Sequence, residues 1–375
     1  MRVIYFTSAM EPSDFARMLE GSEGNANPSG QNFHAKLIRS FTYVSDVEVV
    51  SFLPLKTKNV PEDKGYWHYV PHYGHYKRYR VGKKIGRKLI DGDKDAVVVY
   101  DALSLTATRA AYHAANAHDT KRVAILTDNP DNLSGASSFY PNACRTYAYG
   151  ADGYISLSVD LLNSFEAESC PHKLVFEGLV DEDMEIHPVD EEKGTYIYFG
   201  GALYERYGVK DLYQAYLRSG LKEKLVIAGH GPLEKEIAAL ADKDGRVRFL
   251  GQLSEARNFD YEGNAALAVN PRRPDPSLDV ESVPSKVIEY IAAGVPIVST
   301  IHPKLQSYFP NDVMWLEEGG EESLYRFFES HRGKDGHLAR LAPNNGKEKA
   351  VRMYGLRSIS ARLQSFLASL SAPSN

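Results

Sequence analysis

The chain is predicted to be α/β, with two Rossmann-like domains each built on a parallel sheet. Three observations carry this reading. Its 375 residues exceed what one ordinary core accommodates, so two domains are the default. Short apolar runs rich in β-branched residues alternate with helical patterns from end to end. Those runs fall into two sets of about six, separated by the acidic stretch 180–193.

In the first set, strands are expected at Val3–Phe6, Val47–Phe52, Ala96–Tyr100, Val123–Leu126, Tyr154–Ser156 and Lys173–Phe176. The apolar stretch within Met1 to Thr7 is too short for a signal peptide and reads as the first strand. Phe33, Leu37, Ile38 and Phe41 mark the apolar face of a helix after it. In the second set, strands are expected at Tyr196–Phe199, Leu225–Ala228, Val247–Leu250, Leu267–Val269, Pro296–Ser299 and Met314–Leu316. A final helix, Lys349–Leu370, has no strand after it, and 371–375 reads as a frayed tail. The domains are accordingly 1–182 and 195–348, with helix and tail at 349–375.

Composition is that of a soluble globular protein, and no run approaches the length of a membrane span. Cys144 and Cys170, the only cysteines, fit a reducing compartment and argue against a disulfide framework or a cysteine-based zinc site. A formal charge of −5 argues against general nucleic-acid binding. The 24 tyrosines suit a carbohydrate-handling surface.

The most informative run extends from Glu281 to Thr300. It reads as a loop, a short helix opened by Pro284 and Ser285, a stop at Gly294 and a buried strand from Pro296. A helix N-terminus presents unpaired N–H groups and the positive end of a dipole, so it favours phosphate. Lys286 opposes that dipole, and its placement makes better sense beside an anionic ligand. Glu289 lies one turn after Ser285 on the same face and can accept hydrogen bonds from a diol. Glu281, in the loop, can reach a second polyol. A phosphate between two diol-binding carboxylates describes a nucleotide sugar. On pattern alone, an amphipathic helix with solvated glutamates and a lysine explains the run equally well.

Glu281 and Glu289, eight positions apart, with the wording Pro284-Ser285-Lys286, Glu289-Tyr290 and Ala292-Ala293-Gly294, resemble the E-x7-E signature of retaining GT-B glycosyltransferases, especially the glycosyltransferase 4 (group 1) family. The wording is similar to that of polysaccharide- and glycolipid-building members. The resemblance implies two domains facing across a cleft, with the last helix crossing back to the N-terminal domain. It implies a nucleotide diphosphate sugar donor, most often UDP-linked, and no metal or other cofactor. Acceptors would be glycans or lipid-linked sugars, bound mainly by domain 1–182.

Three more loops follow strands of the second half, where a doubly wound sheet places its ligands. Gly200 and Gly201 let backbone approach a ligand closely, and Arg206 and Lys210 carry charge toward a diphosphate. This segment is similar to the family's arginine-then-lysine loop, although the early arginine position falls on Gly201 or Ala202 and Arg206 stands where the lysine usually does. A solvated helix residue is the other reading of Lys210. Gly229-His230-Gly231 looks like the family's G-x-G segment lining the donor, and a tight strand–helix turn also explains it. Leu250, in Phe249-Leu250-Gly251, is similar to the strand end that flanks the base. Ser282, Val283, Pro284 and Ser285 complete the donor set. Arg272 faces phosphates or acceptor, or forms a surface salt bridge.

In the first half, Gly30 opens the helix after the first strand, where the family places a glycine loop near donor phosphate and acceptor. The polar stretch 9–26 before it reads as a lid. His34 lies in that helix. Asp128, in Thr127-Asp128-Asn129-Pro130, binds an acceptor hydroxyl or, in an inverting enzyme, acts as base. An Asp-Asn-Pro turn explains it as well.

From Lys77 to Lys88 stand Lys77, Arg78, Arg80, Lys83, Lys84, Arg87 and Lys88, with no acid. Tyr66, Trp67, Tyr69, Tyr73, Tyr76 and Tyr79 lie before and among them. Aromatics beside basic residues suit an anionic membrane surface or a lipid-diphosphate acceptor, and a solvated basic helix is the alternative. No nucleic-acid-binding motif accompanies the patch. Asp91-Gly92-Asp93-Lys94-Asp95 starts like a calcium loop but has Ala96 and Ala102 where glycine and glutamate are needed. Asp181-Glu182-Asp183 falls in the linker.

The expectation is therefore a retaining glycosyltransferase, cytoplasmic or peripheral on the inner face of the cell membrane. Arg206, Lys286 and Glu281 are its catalytic candidates: the two cations on the leaving diphosphate, the carboxylate on the sugar. The alternatives are an inverting transferase with Asp128 or His34 as base, and a non-catalytic nucleotide-sugar-binding scaffold.

Overall fold

The structure is a computed structural model, and it describes residues 1–20, 28–57, 60–132, 137–275 and 283–371. Two compact units divide the chain. The first comprises Met1–Leu179 and the returning segment Tyr354–Asn375; the second comprises Val180–Asp279 and Val283–Met353.

The first unit is built on a seven-stranded parallel sheet in the order β3-β2-β1-β4-β5-β6-β7. Its strands are β1 (Arg2–Thr7), β2 (Asp46–Phe52), β3 (Trp67–Val70), β4 (Ala96–Asp101), β5 (Lys121–Leu126), β6 (Gly153–Ser156) and β7 (Lys173–Val175). Strands buried on both faces need apolar side chains on both, which is why Ile4 and Phe6 enter one core while Val3 and Tyr5 enter the other. Helices Pro12–Glu20, Pro28–Thr42 and Leu356–Ser371 cover one side. Helices His75–Ile90, Leu105–Ala115 and Tyr140–Ala148 contribute to the core on the other.

Two details differ from the sequence reading. β3 adds an edge strand where only an aromatic, basic stretch was expected. Trp67 and Tyr69 alternate into the core at 4% and 5% exposure, so they are packing residues and not interfacial ones. Arg78 is also buried, donating to the Leu53 carbonyl at 2.9 Å. The final helix comes in two pieces, Lys347–Tyr354 and Leu356–Ser371. The second inserts Leu356, Ile359, Leu363, Phe366, Leu367 and Leu370 into the first unit's core, as the family resemblance implied.

The second unit has a six-stranded parallel sheet in the order β10-β9-β8-β11-β12-β13. These strands are β8 (Tyr196–Gly200), β9 (Lys224–Ala228), β10 (Val247–Phe249), β11 (Leu267–Asn270), β12 (Ile297–Thr300) and β13 (Met314–Leu316). Helices Val209–Ser219, Glu234–Lys243 and Glu321–Ser330 bury Leu212, Tyr216, Ile237, Leu324 and Phe328 against one face. Helix Ser285–Ala293 packs with helix Glu255–Asn264 and stops at Gly294, whose φ of +75° is left-handed. Among the described residues, no helix is long and apolar enough to cross a membrane.

Candidate donor and acceptor sites

Sheet order places each site. In the second unit the winding reverses between β8 and β11, so the loops after these strands frame the crevice where an open α/β sheet takes its ligand. Gly200 ends β8 and Gly201 follows it, and Asn270 ends β11 with Pro271 and Arg272 after it. Lys286, in the first turn of helix Ser285–Ala293, reaches this point. Its ammonium lies 4.1 Å from the centre of the Phe199 ring, and a Cβ added to Gly201 would come within 2.6 Å of it. Burial first, and the nearby Arg272 second, push the Lys286 ammonium down to a pKa of about 7; Glu262 and Glu289 act the other way. No hydrogen bond or ion pair to Lys286 occurs among the described residues. Two basic side chains whose fields overlap at a switch point could hold an anion.

The glycines serve this arrangement by close approach of backbone. A Cβ on Gly229 would lie 1.8 Å from the Gly201 carbonyl oxygen, and one on Gly208 would lie 2.0 Å from that of Pro271. The Leu203 N–H donates to the His230 carbonyl at 3.0 Å, and Gly229 N–H to that of Gly251 at 2.7 Å. Loops after β8, β9, β10 and β11 are thus laid directly on one another. Gly231 packs on Leu203 in the same way. Leu250 is half-buried, its N–H bonded to the Ile227 carbonyl.

Other expected donor residues take distinct positions. Val283 and Pro284 are buried and Ser285 is exposed at the helix start, where, among the described residues, no side chain caps the first amides. Glu289 is half-buried, close enough to Lys286 and Tyr290 to act on both. Arg206 is exposed, its guanidinium carbon 5.6 Å and 5.0 Å from the ring centres of Tyr204 and Tyr207. Lys210 pairs with Glu205 at 3.5 Å, and the His230 ring with Glu234 at 2.5 Å. Glu281 and Ser282 lie outside the described residues. Arg273 makes a two-pronged pair with Asp211 at 2.8 Å and is thereby committed.

The first unit's sheet reverses between β1 and β4, and a polar cluster sits there. Tyr5 Oη is hydrogen-bonded to His34 Nδ1 at 2.7 Å, and His34 Nε2 lies 3.3 Å from Asp101 Oδ2. Ser104 Oγ donates to the same carboxylate at 2.6 Å and lies 2.9 Å from Ser8 Oγ. Burial alone would raise the Asp101 pKa, but His34, Ser104 and the Leu103 N–H together hold it below the usual range. His34 is 3% exposed with both ring nitrogens engaged, so a base role requires these contacts to break. Asp128 is exposed and accepts from the Asn129 N–H at 2.8 Å, and the turn read in the sequence is closed by Asn129 Oδ1, which accepts from the Asp131 N–H at 3.1 Å. Gly30 lies inside the first turn of helix Pro28–Thr42, two positions past its start.

Residues 194–317 match the family model described as Glycosyl transferases group 1. The chain is a glycosyltransferase, and this stretch is the part that is similar to the group 1 family. No curated protein sequence matches the glycosyltransferase. Solved structures share its fold over nearly its whole length. Sucrose-phosphate synthase from Thermosynechococcus elongatus is 12% identical over 99% of each chain, with a TM-score of 0.69. Anabaena HepE in complex with UDP and glucose is 13% identical over 98% of this chain and 100% of its own, at 0.68. AviGT4, a glycosyltransferase involved in avilamycin A biosynthesis, is 17% identical over 100% and 99%, at 0.58. At such identities these likenesses establish the fold, GT-B, and no more.

Sequence reasoning missed several residues of the glycosyltransferase's two candidate sites. Tyr290 accepts from the Gly200 N–H at 3.2 Å and ties the helix to the glycine turn. Asn258 and Glu262 support that turn from below, and Tyr5, Asp101 and Ser104 surround His34. Each reads as a core or helix residue in the sequence, and only contacts distant along the chain reveal it.

Proposed function

We propose that the enzyme is a retaining glycosyltransferase whose second unit binds a UDP-sugar and passes the sugar to a glycan or lipid-linked acceptor in polysaccharide biosynthesis. The observation that carries this is the Lys286 ammonium set against Gly201 and beside Arg272 at the sheet's switch point. Solved forms of HepE include complexes with UDP and with UDP-glucose, which supports this donor class. The diphosphate is held by Lys286, the free amides of the helix start and Arg206, without a metal. Charge grows on it as the glycosidic bond breaks, and a fixed donor of this kind contributes about 2–4 kcal/mol. Glu289 takes the ribose diol and Glu281 the sugar.

Calorimetry with UDP and UDP-sugars tests this. Glu289→Ala is expected to weaken UDP itself by about tenfold, in line with a lost charged hydrogen bond. Glu281→Ala is expected to spare UDP and weaken only the intact sugar nucleotide. Equal losses for both ligands in both variants would sink the assignment, and an inverted product anomer would remove the retaining mechanism.

The acceptor reading includes an anionic membrane. Helix His75–Ile90 turns Gly82 and Gly86 inward, onto Phe52 and Phe6, and leaves Tyr76, Lys77, Arg80, Lys84, Arg87 and Lys88 exposed. Helices Leu105–Ala115 and Tyr140–Ala148 beside it also lack acidic residues. Arg109 bridges Tyr79 and Tyr147 across the three, at 5.3 and 5.8 Å from their ring centres. The basic, aromatic face is thus wider than the stretch 66–88.

A further inference from the structure

A buried polar chain that the donor reading leaves unused lies beneath the Gly200–Gly201 turn. Tyr198 donates to Asn258 Oδ1 at 2.7 Å, and Asn258 Nδ2 donates to Glu262 Oε1 at 2.5 Å. Asn258 Oδ1 is also 2.5 Å from where a Cβ on Gly200 would stand, so the amide supports the turn directly. Glu262 is 1% exposed and belongs to helix Glu255–Asn264, which packs on the helix carrying Lys286. A carboxylate so far from water is costly unless opposite charge or donors compensate it. Its field falls on Lys286, Tyr198 and Tyr290.

We propose that Glu262 is a positioning residue of the donor site: through Asn258 it fixes the Gly200–Gly201 turn, and through its charge it holds the Lys286 ammonium against that turn. This rests on the donor-site reading above. Among the described residues, the charges that act on Lys286 are one cation, Arg272, and two carboxylates, Glu262 and Glu289, and the Phe199 ring centre lies 4.1 Å from its ammonium. Glu289 lies on the lysine's own helix and is assigned to the ribose. Among the described residues Glu262 is the anion contributed by a separate element, and its charge favours the Lys286 ammonium against burial and Arg272 before any ligand arrives.

The titration of Lys286 in the ligand-free protein, read by competitive acetylation and mass spectrometry, tests this without assuming a donor. In Glu262→Gln the midpoint is expected to move down by about 0.5 in pH or more, because an anion favouring the ammonium is gone. Glu262→Asp, which keeps the charge, should restore most of it. UDP affinity at pH 7 should fall about twofold in Glu262→Gln, following the lost ammonium fraction. Thermal melts run alongside identify any variant that has lost its fold. An unchanged midpoint with a lowered melting temperature overturns the proposal and leaves Glu262 an ordinary buried residue. Failure of the wild type to bind UDP while the midpoint still moves overturns the donor reading and upholds the coupling of Glu262 to Lys286.

Discussion

Lys286 is the residue whose chemistry is most sensitive to where the fold puts it. An ordinary lysine stays protonated to about pH 10.5, and burial with Arg272 nearby brings this one to about 7. Above pH 7 the free protein therefore holds it mostly neutral. A diphosphate favours the ammonium, so binding draws a proton in. UDP affinity is expected to be full below pH 7 and to fall above it, by at most about tenfold per pH unit. Lys286→Arg, charged throughout, should flatten that arm. Calorimetry at pH 8 in two buffers of different ionisation enthalpy counts the proton. Zero uptake by the wild type removes Lys286 from the phosphate. The sequence showed a lysine opposing a helix dipole; it did not show Phe199, Gly201 or Glu262 around it, because these come from other strands and helices.

Among elements, the stacked loops of the second unit carry the clearest consequence. Gly229 has φ +143°, and its missing Cβ makes room for the Gly201 carbonyl. Gly229→Ala is expected to destabilise the protein by about 2 kcal/mol or more and to weaken UDP binding, since it pushes two loops apart. Gly294→Ala, also left-handed but with open space around it, should cost about 1–2 kcal/mol and leave UDP binding nearly unchanged. Urea unfolding and calorimetry on both variants separate the effects. Equal effects of the two variants on UDP binding would mean the loop contact is unimportant to the site. In the sequence Gly229 had two readings, lining the donor and making a tight turn. The structure adds a third, loop-on-loop packing, which depends on segments distant along the chain.

At the scale of the molecule, the basic, aromatic face is the feature with the largest reach. It belongs to the first unit, in a chain of formal charge −5. Anionic liposomes are expected to co-sediment with the protein at low salt. They should release it at 1 M, where the Debye length is about 3 Å. Changing Lys84, Arg87 and Lys88 to Ser should weaken binding at low salt, each cation near the surface contributing about 1 kcal/mol. If the wild type ignores such liposomes at low salt, the face is a solvated one and a soluble acceptor becomes the better reading.

The sequence by itself determined the α/β class, the two sets of parallel strands and the helix from Ser285 to the stop at Gly294. Periodicity, caps and breakers are local, so each was legible in a short window. It also carried the run from Glu281 to Thr300, whose resemblance pointed to the enzyme class. Tertiary structure alone decided that Trp67 and Tyr69 are core, because an edge strand is recognised by its partner strand and not by its own residues. It alone enclosed His34 between Tyr5 and Asp101, and brought Lys286 to Gly201 with Glu262 beneath. Hydrogen bonds and fields between such groups act over a few ångströms of space, and their partners stand far apart along the chain.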